Sequence, residues 1–113
     1  MEPSSPQRIQ GSCFLIPAAT TAPTGVANPL TRGGDIQIEF YNSGIVDAFI
    51  SYSTTSASDA QTKAVIPTGG TPQAVFPVAA GCYITKTFEP NTFFSGITAS
   101  GTANVYGTPG EGS

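Results

Sequence analysis

The residues of this chain that could carry out catalysis are few. Glu39 and Asp47 come closest to a glycosidase-like pair, because they lie on two predicted neighbouring strands joined by one turn. Glycoside hydrolysis needs two carboxyl groups at a defined separation beside a cleft that holds the sugar. The chain contains no Trp that could form an aromatic platform near them. We therefore interpret both residues as solvated surface carboxylates.

Histidine is absent from the sequence. Its absence excludes Ser-His-Asp and Cys-His catalysis, and it removes the commonest zinc ligand and the side chain that titrates near neutral pH. Asp35, Asp47 and Asp59 are scattered and do not form the dense acidic loop of a calcium site. We therefore expect no catalytic, cofactor-binding or metal-binding residues, and no enzymatic activity.

The charge content of the chain is low. Of 113 residues, 4 are Lys or Arg and 7 are Asp or Glu, which is 10% against about 25% in an average soluble domain. Four scattered basic residues cannot neutralise a run of phosphates, so we expect no binding to nucleic acid. Polarity comes instead from 15 Thr and 11 Ser. Because hydroxyl groups lose less than ionised groups on desolvation, such a surface suits contact with neighbouring proteins.

The two cysteines and the N-terminus bear on the cellular compartment. Cys13 and Cys82 each lie beside apolar residues, so we expect free thiols in the core, with a disulfide between them as the alternative. The segment Met1–Pro6 lacks the basic and apolar regions of a signal peptide. The longest early apolar run, Cys13–Ile16, is far shorter than the roughly 20 residues of a membrane span. We expect synthesis in the cytoplasm and no contact with a membrane.

Proline content divides the chain. Five of the 10 prolines fall within the first 29 residues, where they favour extended, solvated backbone. We predict a flexible N-terminal arm at residues 1–12, a folded domain at 13–107 that begins with an extended Pro-rich segment at 17–34, and a mobile tail at 108–113. Extended segments of this kind can lie along a partner, and the candidate contact residues are Arg8, Ile9, Phe14 and Arg32.

Two pairs of alternating runs predict β-hairpins. Residues 35–41 and 46–52 alternate apolar and polar side chains on either side of the turn signal Asn42-Ser43-Gly44. Residues 93–98 and 102–106 flank a second turn at Ala99-Ser100-Gly101. Tyr41, Tyr52, Tyr83 and Tyr106 all lie in predicted strands, where we interpret them as half-buried packing at strand edges.

The remaining segments complete an all-β pattern. Short strands are predicted at 62–66, 73–78 and 82–89, and Pro72 and Pro77 push the second toward a sheet edge. Lys86 interrupts the inner face of the third strand, so we expect it near an end or at a rim. The one helical candidate, Ser56–Lys63, has one or two turns. The fold class is therefore all-β, a single small antiparallel β-sandwich or jelly-roll-like barrel of about seven or eight short strands.

Three stretches resemble small virion proteins of tailed bacteriophages. They are Ile38–Tyr52, with a strand ending in Tyr-Asn-x-Gly before an Ala-Phe-Ile strand, the Ile-Pro-x-Gly turn near Ile66–Gly70, and the ending Ile97–Gly112, which closes on Thr-Pro-Gly-Glu-Gly. The resemblance covers roughly residues 35–112 and does not include the N-terminal third.

The resemblance implies a capsid decoration or cement protein. Such β-sandwich or jelly-roll modules sit on the outer shell as dimers or trimers and staple neighbouring capsid subunits. For this chain it implies a structural virion protein, made in the host cytoplasm and located on the capsid surface, whose partners are the major capsid protein and further copies of itself. The alternative is a carbohydrate- or host-surface-binding β-module of a phage tail or fibre, which would stack sugars on exposed tyrosines.

Overall fold

The computed structural model describes residues 8–9, 12–28 and 35–111, and the predicted contact Arg32 lies outside these ranges. The described chain forms nine strands and one short helix. In chain order these elements are β1 Arg8–Ile9, β2 Phe14–Ala18, β3 Val26–Ala27, β4 Ile36–Asn42, β5 Ala48–Ser53, α1 Ala57–Lys63, β6 Val75–Val78, β7 Tyr83–Phe88, β8 Phe93–Ile97 and β9 Ala103–Glu111.

The strands belong to two antiparallel sheets. Sheet A has the order β1-β9-β4-β7, and β2 also pairs with β9. Because Phe14 of β2 pairs with Gly107 and Ile9 of β1 pairs with Gly110, β1 and β2 occupy the same edge of β9 one after the other. Sheet B has the order β3-β8-β5-β6.

The strand pairing is nested in the manner of a jelly roll. Counted from β2, the first strand pairs with the last, the second with the second-last and the third with the third-last, while the two middle strands pair with each other. Eight strands joined in this way form two Greek keys in a double sheet. The predicted all-β fold, a small antiparallel sandwich or jelly roll, is confirmed.

Alternation along the strands places one face of each sheet in a shared core. In β4 every second residue from Ile36 to Asn42 is buried, and in β2 the buried residues are Phe14, Ile16 and Ala18. Phe40 lies at the centre, with its ring 5.2–6.3 Å from four other phenylalanine rings in edge-on arrangements. Such aromatic pairs are favourable beyond the area that they bury.

Both predicted hairpins are wrong in their pairing, although their strands exist. β4 lies in sheet A and pairs with β7 and β9, whereas β5 lies in sheet B and pairs with β6 and β8. In the same way, β8 and β9 belong to different sheets. The segments that contain Asn42-Ser43-Gly44 and Ala99-Ser100-Gly101 are crossings from one sheet to the other. A half-buried strand has the same alternating pattern whether its chain neighbour lies beside it or across the core.

Other local expectations had mixed outcomes. The helical candidate is confirmed as α1, whose N-cap Ser56 accepts a hydrogen bond from the Asp59 amide at 3.0 Å. The strand predicted at 62–66 is wrong, because the helix continues to Lys63. The 73–78 strand is confirmed as β6, at an edge of sheet B.

The boundaries of the folded region extend beyond the predicted 13–107. Residues 108–111, assigned to a mobile tail, form the end of β9, where Thr108 pairs with Glu39 and Gly110 with Gln37. Residues 8–9, assigned to the flexible arm, pair with the same end of β9. The Gly and Pro content suggested loose chain, but β4 supplies a complete partner for this segment.

The cysteines are free, as expected, but they are not in the core. Cys13 and Cys82 are both exposed and form no disulfide. Cys13 precedes Phe14 at the start of β2 and therefore points away from the core, since successive side chains of a strand face opposite sides. Cys82 lies in the turn before β7, and this turn is outside the core.

Buried Asn42 fastens the crossing between β4 and β5. Its side-chain amide donates hydrogen bonds to the carbonyls of Val46 and Val78, each at 2.9 Å, and its side-chain oxygen accepts one from the Gly44 amide at 2.8 Å. Its backbone also bonds to the turn before β7, through Gly81 and Cys82. One residue thus ties the end of β4 to the crossing, to the end of β6 and to the start of β7.

Substitution Asn42→Ala tests this role. It leaves one buried and one partly buried carbonyl without their donor and opens a small cavity, so we expect a loss of about 2–4 kcal/mol in the free energy of unfolding. Urea denaturation followed by circular dichroism measures the change. The control Asn104→Ala alters an exposed side chain of β9, and we expect a change within about 0.5 kcal/mol. Equal stability of the two variants would contradict the role of Asn42.

Candidate functional site

Four large side chains form a row across the outer face of sheet A. The register places Leu15 opposite Tyr106, Tyr106 opposite Tyr41, and Tyr41 opposite Tyr83. These residues, which we call the tyrosine row, lie on four successive strands and point away from the core. With adjacent strands about 4.8 Å apart, the row spans roughly 14 Å.

The tyrosine row is exposed and rigid. The exposed fraction is 66% for Tyr83, 39% for Leu15 and 37% for Tyr106. The rings of Tyr41 and Tyr83 stack with their centroids 4.9 Å apart and an interplanar angle of 30°. All four residues are held by strands that pair along their length, so burying them under a partner costs little additional ordering.

The surface around the row is poor in charge. The other described outward side chains of β4, β7 and β9 are Gln37, Glu39, Thr85, Thr87, Asn104 and Thr108. Glu39 is the one ionisable group among them, and it is half-buried between neighbouring strands. Hydroxyl and amide groups, with a single carboxylate, therefore border the tyrosine row on this face.

The two sheets differ in what covers their outer faces. The outer face of sheet B carries small hydroxyl residues that bond to the segments above them. Ser51 donates to the Ala60 carbonyl of α1 at 2.6 Å, and Ser95 donates to the Pro23 carbonyl, between β2 and β3, at 2.7 Å. No described element covers the outer face of sheet A. Phe49, Phe93 and Ile97 on the outer face of sheet B are half-buried, whereas Leu15, Tyr83 and Tyr106 on the open face of sheet A are exposed.

Each sheet edge carries a feature that opposes the addition of another strand. Pro17 lies in β2 and Pro77 in β6, and proline lacks the amide donor that a new partner would need. β3 has only two residues. In β7, Lys86 pairs with buried Ile38 and so occupies an inward-facing position on an edge strand. Its exposure confirms the expected rim position.

A cleft of about 590 Å³ opens between the edge strands β6 and β7. We call it the edge cleft. Its floor consists of the rings of Tyr52, Phe76 and Phe88, whose centroids lie 5.7–6.2 Å from one another. Its rim includes the charged residues Asp35, Lys63, Lys86 and Glu89.

A polar network forms the side of the edge cleft next to α1. The Ser53 hydroxyl donates to a carboxylate oxygen of Asp59 at 2.5 Å, and the Lys63 ammonium lies 3.1 Å from the same oxygen. The Ser53 hydrogen bond and then Lys63 lower the pKa of Asp59 below its ordinary value of 3.8, because both stabilise the charged carboxylate.

The predicted contact residues do not converge on one site. Phe14 is buried, and its ring packs against Gly107 and stacks on Phe94 with centroids 5.6 Å apart, so it is a core residue. Arg8 and Ile9 form β1 at the far end of β9. Asp47 is not paired with Glu39, since its carboxylate accepts a hydrogen bond from the Ala80 amide at 3.0 Å.

The tyrosines are the functional candidates that sequence reasoning misjudged. The sequence favours half-buried packing at strand edges for Tyr41, Tyr83 and Tyr106; Tyr41 is half-buried, but Tyr83 and Tyr106 are exposed, and the three lie side by side in the row. Their outward positions follow from strand alternation, because each neighbours an apolar residue that faces the core: Phe40, Ile84 and Val105. Their side-by-side placement depends on the register of three strands that are distant in the sequence.

Comparison with known protein families, with curated proteins and with solved structures finds no match to this chain. Within residues 8–9, 12–28 and 35–111, Cys, Asp and Glu nowhere gather in a group of three that could hold a metal ion. In the same part of the chain, no helix is long and apolar enough to cross a membrane.

Substitution Lys86→Val tests the protection of the β7 edge. Removing the inward charge from an exposed edge strand permits edge-to-edge pairing, so we expect association that increases with protein concentration, measured by sedimentation velocity. The control Thr87→Val adds the same side chain at the neighbouring outward position and should leave the edge protected. Association of both variants to the same extent, or of neither, would argue against a protective role of Lys86.

The acid response of Asp59 provides a second test. Carboxyl NMR titration should give a pKa below 3.8 in the native protein, moving toward 3.8 in Ser53→Ala. Because the folded pKa is lowered, the contribution of Asp59 to stability is present above the unfolded pKa and is lost as the pH falls through the folded value. An unchanged titration in Ser53→Ala would show that this hydrogen bond is not the main cause.

Proposed function

We propose that this protein is a structural virion protein that decorates or cements a phage capsid, and that it binds the major capsid protein and neighbouring copies of itself through the outer face of sheet A. The observation that supports this proposal is the tyrosine row on a charge-poor, uncovered face. The capsid as the site of action rests on the sequence resemblance to small virion proteins.

The chemistry of the face suits contact with protein. Tyrosine combines a large apolar ring with a hydroxyl that can remain hydrogen-bonded, and it is enriched at protein interfaces and among the residues that dominate binding energy. The surrounding threonines can be desolvated at less cost than charged side chains. Repetition of a modest contact by symmetry on a shell would add to the overall attachment through avidity.

The proposed contact is made by a face and not by an edge. Strand addition would require an open row of amide and carbonyl groups, and the features of β2, β3, β6 and β7 oppose it. The outer face of sheet A presents side chains instead. Leu15 and Tyr83, at the two ends of the tyrosine row, are its most exposed members. A partner on this face would therefore bury the most contact area on these two side chains.

The double substitution Leu15→Thr with Tyr83→Thr tests the docking face. Threonine retains strand propensity and removes the apolar surface, so we expect unchanged folding and at least a tenfold lower affinity, about 1.4 kcal/mol, for capsids assembled without this protein. Occupancy is measured by co-sedimentation over a range of protein concentrations, and self-association by sedimentation equilibrium.

A matched control is Ile45→Thr, which removes an apolar side chain that is 93% exposed but lies outside the face. It should bind capsids like the native protein. Failure of the native protein to bind at micromolar concentration would overturn the proposed function. Equal binding by the double variant would overturn the assignment of the face.

The alternative function, a carbohydrate- or host-surface-binding module of a tail or fibre, is favoured by a different observation. The edge cleft combines exposed aromatic surface with hydrogen-bonding groups at its rim. The two functions use different surfaces, because the tyrosine row points outward from sheet A while the cleft opens between the sheets.

A further inference from the structure

We infer that the edge cleft is a binding site for a short neutral saccharide, with a sugar ring resting on Tyr52. This site is separate from the docking face of the proposed function. Its volume of about 590 Å³ lies within the range of small-ligand sites, roughly 300–1,000 Å³.

The cleft is an opening of the core between two edge strands. Tyr52, Phe76 and Phe88 occupy core-facing positions of β5, β6 and β7, at the place where no described strand closes the gap between the two sheets. Phe76 is buried and Phe88 is half-buried, whereas Tyr52 is 40% exposed. The ring of Tyr52 is therefore the aromatic surface that a ligand in the cleft can reach.

The floor is fixed by contacts with the core. The ring centroid of Phe76 lies 5.2 Å from that of Phe40, and the centroid of Phe88 lies 4.8 Å from that of Phe94. Both rings in turn contact Tyr52. Because the core already holds these rings, a ligand would not have to order the floor when it binds.

The rim combines acceptors and donors around this apolar floor. Asp35 and Glu89 contribute carboxylates, and Lys63 and Lys86 contribute ammonium groups. Lys63 is already paired with Asp59, so Lys86 is, among the described lining residues, the cation left to face a ligand. Ser53 and Thr54 also line the cleft.

This arrangement matches the chemistry of a pyranose. One face of such a ring presents C–H groups that pack on an aromatic surface, and its periphery carries hydroxyls that both donate and accept. Hydrogen bonds to charged partners such as Glu89 or Lys86 contribute more than those between neutral groups. The rim carries both signs of charge, and with Lys63 paired to Asp59 the carboxylates of Asp35 and Glu89 outnumber the ammonium of Lys86, which disfavours an anionic ligand.

An extended peptide fits the cleft less well. A peptide that enters between two sheet edges gains affinity mainly through backbone pairing. The inward position of Lys86 in β7 and the presence of Pro77 in β6 oppose such pairing at both walls. Recognition by side chains alone favours a ligand with a dense set of hydroxyl groups.

Titration of the native protein with cellobiose, lactose, mannobiose and diacetylchitobiose, followed by amide NMR, tests the inference. Affinity for at least one disaccharide is expected near or below about 1 mM, with shifts centred on Tyr52, Lys86 and Glu89. Absence of specific shifts for all four sugars at about 10 mM, tenfold above such a Kd, would overturn it. Shifts centred on Tyr41 and Tyr83 would place the sugar on the outer face and overturn it equally.

Two variants locate the site. Tyr52→Leu keeps an apolar side chain on the floor but removes the flat ring, and it should weaken binding at least tenfold. Glu89→Gln keeps the shape of the rim and removes the charged acceptor, and a threefold or greater loss is expected. The control Tyr83→Thr should bind the sugar like the native protein. Retention of native affinity in both cleft variants would overturn the assignment.

Failure of this inference and failure of the proposed function can be told apart. If only the docking face is functional, Tyr52→Leu and the native protein bind capsids equally and neither binds sugar. If only the cleft is functional, the native protein binds sugar and does not bind capsids. An extended peptide that shifts the amides of β7 in place of any sugar would also overturn the saccharide assignment.

Discussion

The satisfied amide of buried Asn42 holds the point at which the chain leaves sheet A and enters sheet B. Its hydrogen bonds to Val46 and Val78 connect β4, the crossing and the end of β6. With the crossing held there, β4 and β5 face each other across the core instead of lying side by side. The nested pairing of the remaining strands is consistent with this crossing from sheet A to sheet B. The resulting strand order leaves β6 and β7 as the two edges on either side of one opening between the sheets.

The two outer faces then acquire different roles. α1 covers sheet B, and the residues beneath it are the small Ser51 and Ser95, whose hydroxyls bond to the backbone of the covering segments. Sheet A has no such cover among the described residues and carries the tyrosine row. Large amphipathic side chains on a fixed, uncovered surface with one half-buried carboxylate provide the physical basis for a docking face.

The edges and the cleft follow from the same architecture. A sandwich has sheet edges that could pair with other chains, and here proline, short length or an inward lysine opposes pairing at each described edge. Lys86 has two consequences, since its position protects β7 and also brings an ammonium group to the rim of the cleft. Both proposed contacts with other molecules accordingly use side chains, on the outer face of sheet A and at the mouth of the core.

Sequence alone determined the fold class, most of the strands, the short helix and the edge position of β6, because alternation, turn residues and proline act locally. It could not determine whether the chain after β4 and after β8 turns back within one sheet or crosses to the other sheet. In both arrangements each strand buries one face, so the alternating pattern is the same. Only the tertiary structure brought Leu15, Tyr106, Tyr41 and Tyr83 into one row, because that row depends on three long-range registers. It also assigned Phe14, a candidate contact residue, to the core, and it exposed both cysteines, whose apolar neighbours had suggested burial.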